Sequence, residues 1–170
     1  MPLKLKVTGK QPNSKMCIVC GLKNNSGLHT QFYELENGEL YSTFRTLEIH
    51  QSYPGRLHGG IASTLLDEAI GRASMMRYEE MIWCVTLKLT TRFKQPLPLN
   101  AELHALGRID SENHRGFEGS GEIYTPDGKI AVEARGKFLK MPLEKIADFD
   151  SEHLEWGVVP RDDDPVVVEV

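Results

Sequence analysis

One helical segment constrains the fold more than any other part of the sequence. Over residues 58–78, a period of 100° per residue places apolar side chains on one face, namely Ile61, Ala62, Leu65, Ala69, Ala73 and Met76. At roughly 1.5 Å per residue, this helix is about 30 Å long. A single long helix with one apolar stripe must bury that stripe against another layer, and the rest of the chain predicts strands.

Strand patterns lie on both sides of the helix. Two strands are predicted before it, at 29–35 and 40–47, around the turn Asn37-Gly38. Four follow at 85–93, 103–109, 117–124 and 130–139. In the first of these four, Val85, Leu87 and later apolar residues alternate with polar ones, which predicts Thr86 on the polar face. Short turns favour an antiparallel sheet, so the predicted class is α+β with the sheet wrapped around the helix.

The length of 170 residues fits one domain with two flanking segments. Residues 17–140 hold the predicted domain, and the polar residues 1–16 are expected to form an arm or a poorly ordered start. Residues 141–170 carry nine acidic and two basic side chains, and we expect a short helix near 143–156 in an extension that covers an edge or is disordered. The net charge of −4 argues against nucleic acid as a main partner.

The cysteine count and the absence of apolar runs bear on location. Neither a signal peptide nor a membrane span is predicted, and three sparse cysteines fit the reducing cytoplasm. The spacing Cys17-x-x-Cys20 raises the alternative of a zinc site. Structural zinc takes four ligands, and the sequence has no second CxxC or HxxxH pair, so no metal or cofactor is predicted.

The helix face opposite the apolar stripe is lined by small residues. They are Gly60, Ser63, Thr64, Gly71 and Ser74, with Asp67 among them. A solvated face would favour longer helix formers, so we interpret this face as a contact with a second subunit that holds Asp67. A carboxylate partly buried there needs hydrogen bonds or a raised pKa, and either suits catalysis. The alternative is an ordinary exposed carboxylate.

Two glycines open the helix directly after His58. The first N–H groups of a helix lack partners and carry partial positive charge, and Gly59 and Gly60 leave room for a carbonyl to approach them. This predicts a site that polarises a carbonyl group. The alternative is that the glycines only permit a tight turn.

Together these residues resemble the hotdog-fold acyl-CoA thioesterases of the phenylacetate-degradation type. The resemblance rests on YPGRLHGGIASTLLDEAIG, on CIVCGLKNNSGL before it, and on the strand after the helix. It implies a homodimer with sheets joined edge to edge, often paired again into a tetramer, with active sites between subunits. It implies hydrolysis of an acyl-CoA thioester to free acid and CoA, without a metal or cofactor.

The resemblance also assigns roles. Asp67 is the nucleophile or the general base, the Gly59 N–H polarises the thioester carbonyl with Gly60 beside it, and His58 shapes the turn. Thr86 of the partner subunit helps to place the water or the carboxylate. Four basic residues could bind the CoA phosphates, and Arg92 and Arg115 are preferred over Lys94 and Arg108.

One position departs from the family pattern. Relatives carry an asparagine six residues before the histidine, where this chain has Ser52, and the Gln51 amide is the candidate substitute. This departure motivates a second hypothesis, a hotdog protein that binds acyl-CoA without hydrolysing it. A hydratase or dehydratase ranks last because its differently placed histidine and carboxylate are not found.

Overall fold

The computed structural model describes residues 3–78 and 82–170. Its main helix is α1, Gly59–Arg72, and a short 3-10 helix, Ala73–Met76, continues it. The strands are β1 Lys4–Lys10, β2 Gln31–Leu35, β3 Leu40–Arg45, β4 Ile82–Phe93, β5 Glu102–Glu112, β6 Gly116–Tyr124, β7 Ile130–Pro142 and β8 Val167–Glu169. The α+β prediction, with one long helix and an antiparallel sheet, is therefore confirmed.

The strands form one antiparallel sheet in the order β4-β7-β6-β5-β3-β2-β1-β8. Short turns join β5 to β6 and β6 to β7, and the tight turn at Gly38 joins β2 to β3. β4 and β8 are the two edge strands. No helix in the described part of the chain is both long and apolar enough to cross a membrane.

The apolar side of α1 packs against the sheet at glycines. A Cβ atom on Gly107 would lie 2.5 Å from the carbonyl oxygen of Ala69, and one on Gly119 would lie 2.5 Å from the Ile70 side chain. This close approach buries Leu66 and Ile70 completely, although the predicted stripe omitted both. Ile61 and Met76 of that stripe are only partly buried.

β4 departs from the alternation that the sequence predicts. The register between β4 and β7 shifts between Thr86 and Lys88, as at a β-bulge. The extra residue is Leu87, which is 65% exposed and was wrongly predicted on the apolar face. Side chains that contact α1 are therefore even-numbered before the bulge and odd-numbered after it, so Thr86 turns towards the helix.

Both flanking segments contribute strands. Residues 4–10 form β1, which pairs with β2 and β8, so the alternative of a poorly ordered start is wrong for these residues. Residues 1–2 lie outside the described range. The short helix expected near 143–156 is a 3-10 helix, Leu143–Lys145. Residues 141–170 were expected either to cover a sheet edge or to be disordered. Their strand β8 pairs with β1 and covers its edge.

Candidate active site

Asp67 lies under β4 of its own chain. Its Oδ1 accepts a hydrogen bond of 2.7 Å from the Thr86 hydroxyl. Burial raises the pKa of Asp67, the Thr86 hydrogen bond lowers it, and the neighbouring Glu68 raises it, with a net increase. The result is a half-buried carboxylate that is a stronger base than an exposed one.

The face of α1 that carries the small residues packs closely against β4. The Ser63 hydroxyl lies 3.4 Å from the Thr91 hydroxyl, and a Cβ on Gly71 would lie 3.4 Å from the Cys84 sulfur. With Asp67 and Thr86 between them, these contacts repeat every four residues along the helix. Within the described residues, β4 of the same chain covers this face, and Thr86 of the same chain reaches Asp67. The contact with a second subunit stays a prediction.

A cavity of about 340 Å³ opens beside the carboxylate. Asp67, Thr86 and Cys84 lie on one wall, and the other lining side chains include Met75, Trp83, Phe138 and Trp156. Burial raises the pKa of the Cys84 thiol to about 11, so this thiol stays protonated at neutral pH. The cavity thus places the Asp67 carboxylate beside a mostly apolar and aromatic space, a suitable combination for an acyl group next to a base.

Trp156 reaches the cavity from residues 141–170. Its ring centroid is 5.1 Å from that of Trp83 and 5.9 Å from that of Phe149. The Asn13–Gly157 bridge and a hydrogen bond from the Lys15 N–H to the Leu154 carbonyl hold this segment in place. From its composition, this segment was interpreted only as an acidic extension. The aromatic residues Phe149 and Trp156 were the overlooked sign that it lines a cavity.

The start of α1 forms a second, separate groove. Gly59, Ser52, Tyr53 and Phe93 are among the residues around a cavity of about 410 Å³, which Asp67 does not line. Gly59 and Asp67 are eight residues apart, roughly 12 Å along the helix. One thioester carbonyl therefore cannot contact both groups within one chain.

His58 caps the helix. Its Nδ1 accepts a hydrogen bond of 2.9 Å from the Gly60 N–H, and its carbonyl accepts one from Ile61. The Gly59 N–H has no acceptor in the described part of the chain, so of the two glycines only Gly59 offers a free donor. A Cβ on Gly59 would also lie 3.1 Å from the Phe93 ring, which is a packing reason for glycine at this position.

The remaining predicted binding residues do not converge on Asp67. Ser52 and Gln51 are exposed, and the Gln51 Oε1 accepts a hydrogen bond of 3.3 Å from the Gly55 N–H within its own loop. Arg92 and Arg115 are both exposed. Arg92 is near one end of the β4–β7 pair, whereas Arg115 lies beside Lys140 at the other end. Lys94 and Arg108 form ion pairs with Glu133 and with Glu39 and Glu122, respectively.

A cluster of thiols and charges completes the cavity wall. The Cys17 thiol donates to Glu68 Oε2 at 3.2 Å, Glu68 Oε1 accepts from Arg72 at 2.7 Å, and Arg72 donates to the Cys20 sulfur at 3.0 Å. The neighbouring Cys17 thiol and the Arg72 guanidinium lower the pKa of Cys20 to about 7. The neighbouring Cys20, burial and the Glu68 carboxylate raise the pKa of Cys17. Sequence reasoning missed Glu68 because it lies on α1, far from the cysteines in the chain.

An antiparallel sheet wrapped around one long helix is the hotdog fold. Residues 54–132 match the family model described as Thioesterase superfamily. The match contains Gly59, Asp67 and Thr86.

Two relatives and one more distant structure are similar to this chain. The acyl-coenzyme A thioesterase THEM4 of Bos taurus is 31% identical over 96 residues, which are 56% of this chain and 38% of that protein. A solved thioesterase superfamily protein is 30% identical with a TM-score of 0.66, over 71% of this chain and 58% of the other. This chain therefore spans less than two thirds of either relative.

The more distant structure is a Bacillus halodurans protein solved with CoA. It is 23% identical with a TM-score of 0.55, over 59% of this chain and 66% of the other, and at this identity it supports the fold alone.

Proposed function

We propose that this chain hydrolyses an acyl-CoA thioester to the free acid and CoA, as a thioesterase of the phenylacetate-degradation type. The single observation that carries the proposal is Asp67, a carboxylate with a raised pKa at the wall of an apolar cavity. A thioester is already activated, so the reaction needs one base or nucleophile, one donor to the carbonyl and a place for the acyl group. The acyl-CoA activity in the name of THEM4 agrees with this choice.

In this scheme Asp67 acts in one of two ways. It removes a proton from a water that attacks the carbonyl carbon and expels CoA, or it attacks that carbon itself, breaks the C–S bond to release the CoA thiolate, and forms an anhydride that water then hydrolyses to the free acid. The Thr86 hydroxyl keeps the carboxylate oriented and ionised. The Gly59 N–H of a second subunit donates to the carbonyl oxygen, where negative charge develops. The acyl group occupies the cavity closed by Trp83 and Trp156, and Arg92 and Arg115 are candidates for the CoA phosphates.

The distance between Gly59 and Asp67 supports a homodimer, possibly a dimer of dimers. The outer edge of β4 has no partner strand in the described chain, and Leu87 and Phe93 are 65% and 54% exposed. Pairing of two β4 edges would bring the Gly59 groove of one subunit near the Asp67 cavity of the other. The three free thiols fit a cytoplasmic location.

The test is release of CoA from a panel of acyl-CoA esters, from acetyl to palmitoyl and including phenylacetyl. CoA is separated by chromatography, because the three thiols of the protein would react with a thiol reagent. Asp67→Asn should lower kcat by about 10²- to 10⁴-fold. Asp110→Asn is the matched control, because Asp110 also accepts a hydroxyl hydrogen bond, from Ser120 at 2.9 Å, but does not line the cavity. Full activity of Asp67→Asn refutes the mechanism.

The loop before α1 favours a second candidate function, binding of acyl-CoA without turnover. Ser52 replaces the family's asparagine, and the side-chain amide oxygen Oε1 of Gln51 already accepts a hydrogen bond from the Gly55 N–H. Micromolar binding of acyl-CoA with no CoA release across the panel would select this function over hydrolysis.

A further inference from the structure

Three metal-ligating side chains converge beside the cavity. Within residues 3–78 and 82–170, the sulfurs of Cys17 and Cys20 and a carboxylate oxygen of Glu68 all lie within 4.8 Å of one another. Tetrahedral zinc with Zn–S bonds of about 2.3 Å separates two sulfur ligands by about 3.8 Å. The three atoms are therefore close to the separations that one ion requires.

The turn that carries Cys17 and Cys20 has a conformation suited to hold two metal-binding sulfurs. The N–H groups of Val19 and Cys20 point at the Cys17 sulfur, at 3.3 and 3.4 Å. Such donors stabilise a thiolate and orient its lone pairs. A Cβ on Gly21 would lie 2.4 Å from the Cys17 carbonyl oxygen, so only glycine permits a turn this tight. The sequence CIVCG thus presents both sulfurs on one side.

The charges around the cluster balance with a divalent cation. Two thiolates and one carboxylate carry −3, a divalent cation reduces this to −1, and the buried Arg72 guanidinium neutralises the remainder. Arg72 contacts the outer oxygen of Glu68 and the Cys20 sulfur, the positions from which outer-shell groups orient metal ligands. Glu68 keeps its second oxygen directed at Cys17.

We propose that Cys17, Cys20 and Glu68 bind one zinc ion, with the fourth coordination position facing the cavity that Asp67 also lines. Thiolate ligands favour zinc over magnesium or calcium. Binding displaces the Cys17 proton from Glu68 and releases thiol protons to solvent. The sequence argument against zinc fails here because the third ligand comes from α1 and because an open site needs only three protein ligands.

The test uses the reduced full-length protein, free of any histidine tag and stripped with a chelator. Added zinc should bind at about one equivalent per chain, measured by elemental mass spectrometry after gel filtration. Cobalt(II) should give a thiolate-to-cobalt charge-transfer absorption. Glu68→Gln should weaken zinc binding by at least about 10-fold, and Cys17→Ser and Cys20→Ser should abolish the charge-transfer band.

Cys84→Ser is the matched control, because Cys84 lines the same cavity but is not one of the three ligands; it should keep one equivalent of zinc. If the serine variants do not fold, the wild-type cobalt spectrum and Glu68→Gln still decide the question. Wild-type protein that retains no zinc after gel filtration overturns the proposal. So does a Cys17–Cys20 disulfide that forms in air equally fast with and without zinc.

Discussion

The hydrogen bond between Thr86 and Asp67 allows a quantitative test of the site. Thr86→Val keeps the shape of the side chain and removes the hydroxyl that donates to Asp67 Oδ1 at 2.7 Å. This hydroxyl lowers the pKa of Asp67, against burial, which raises it. Without it the carboxylate is harder to ionise, so the pKa rises further.

The magnitude follows from the strength of a charged hydrogen bond. A buried bond of this kind contributes about 1.5–3 kcal/mol. Because Thr86 is exposed, solvent reduces this contribution, and we take about 1 kcal/mol. One pKa unit corresponds to 1.36 kcal/mol, so the pKa of Asp67 should rise by about 0.7.

The assay is the pH dependence of kcat/KM for the best substrate of the acyl-CoA panel. Activity needs the ionised carboxylate, so it falls as the pH drops through the pKa of Asp67. In Thr86→Val this acid limb should move upward by about 0.7 pH unit. Thr86→Ser keeps a hydroxyl and should leave the limb in place. A limb that stays fixed in Thr86→Val, or moves to lower pH, refutes the assignment of Asp67 as the ionising base.

Three further perturbations test the fold, the cavity wall and the edge strand. Gly107→Ala should reduce the free energy of unfolding in urea by about 1–3 kcal/mol, because the new Cβ meets the helix backbone at 2.5 Å; Gly157→Ala, with open space around it, should have little effect. Trp156→Ala should shift the acyl preference towards longer chains, and an unchanged chain-length profile would place the acyl group elsewhere. Leu87→Glu on the exposed edge should convert a dimer to monomers in analytical ultracentrifugation, whereas Val166→Glu should not.

Asp67→Asn also carries a stability prediction of definite sign. The pKa of Asp67 is raised by folding, so its favourable contribution to stability is present below the pKa of the unfolded chain and is lost as the pH rises through the folded value. At pH 7 the ionised carboxylate therefore opposes folding. Asp67→Asn should be at least as stable as wild type in thermal unfolding at pH 7, and a clear loss of stability would contradict the linkage.

The main helix and the strands next to it could be predicted because their signals are local. The period over α1 and the turn at Gly38 depend on near neighbours in the chain. The complete burial of Leu66 and Ile70 was not predictable in this way, since it depends on glycines in β5 and β6 that admit the helix. β1 was missed because a short polar strand becomes stable only through its pairing with β2 and β8.

The candidate site was predicted only where its residues have a local signal in the sequence. Asp67 stands out as a charge among small and apolar residues, and the sequence indicates it directly. The position of Thr86 depends on the β-bulge at Leu87, and alternation alone assigns it to the wrong face. The convergence of Cys17 with Glu68 is a contact between distant segments, for which no local pattern exists.

Trp156 lies outside the part of the chain that carries the proposed chemistry. The choice of acyl group and the cleavage chemistry therefore depend on different segments of the sequence. The region that matches the superfamily, residues 54–132, contains the carboxylate and its hydroxyl partner. Trp156 and Cys17 line the same cavity from outside that region. Under the proposed function, a substitution at Trp156 changes which acyl group fits the cavity and leaves Asp67 and Thr86 in place. To infer a substrate from a homologue, the segment around Trp156 is therefore a better guide than sequence identity over residues 54–132.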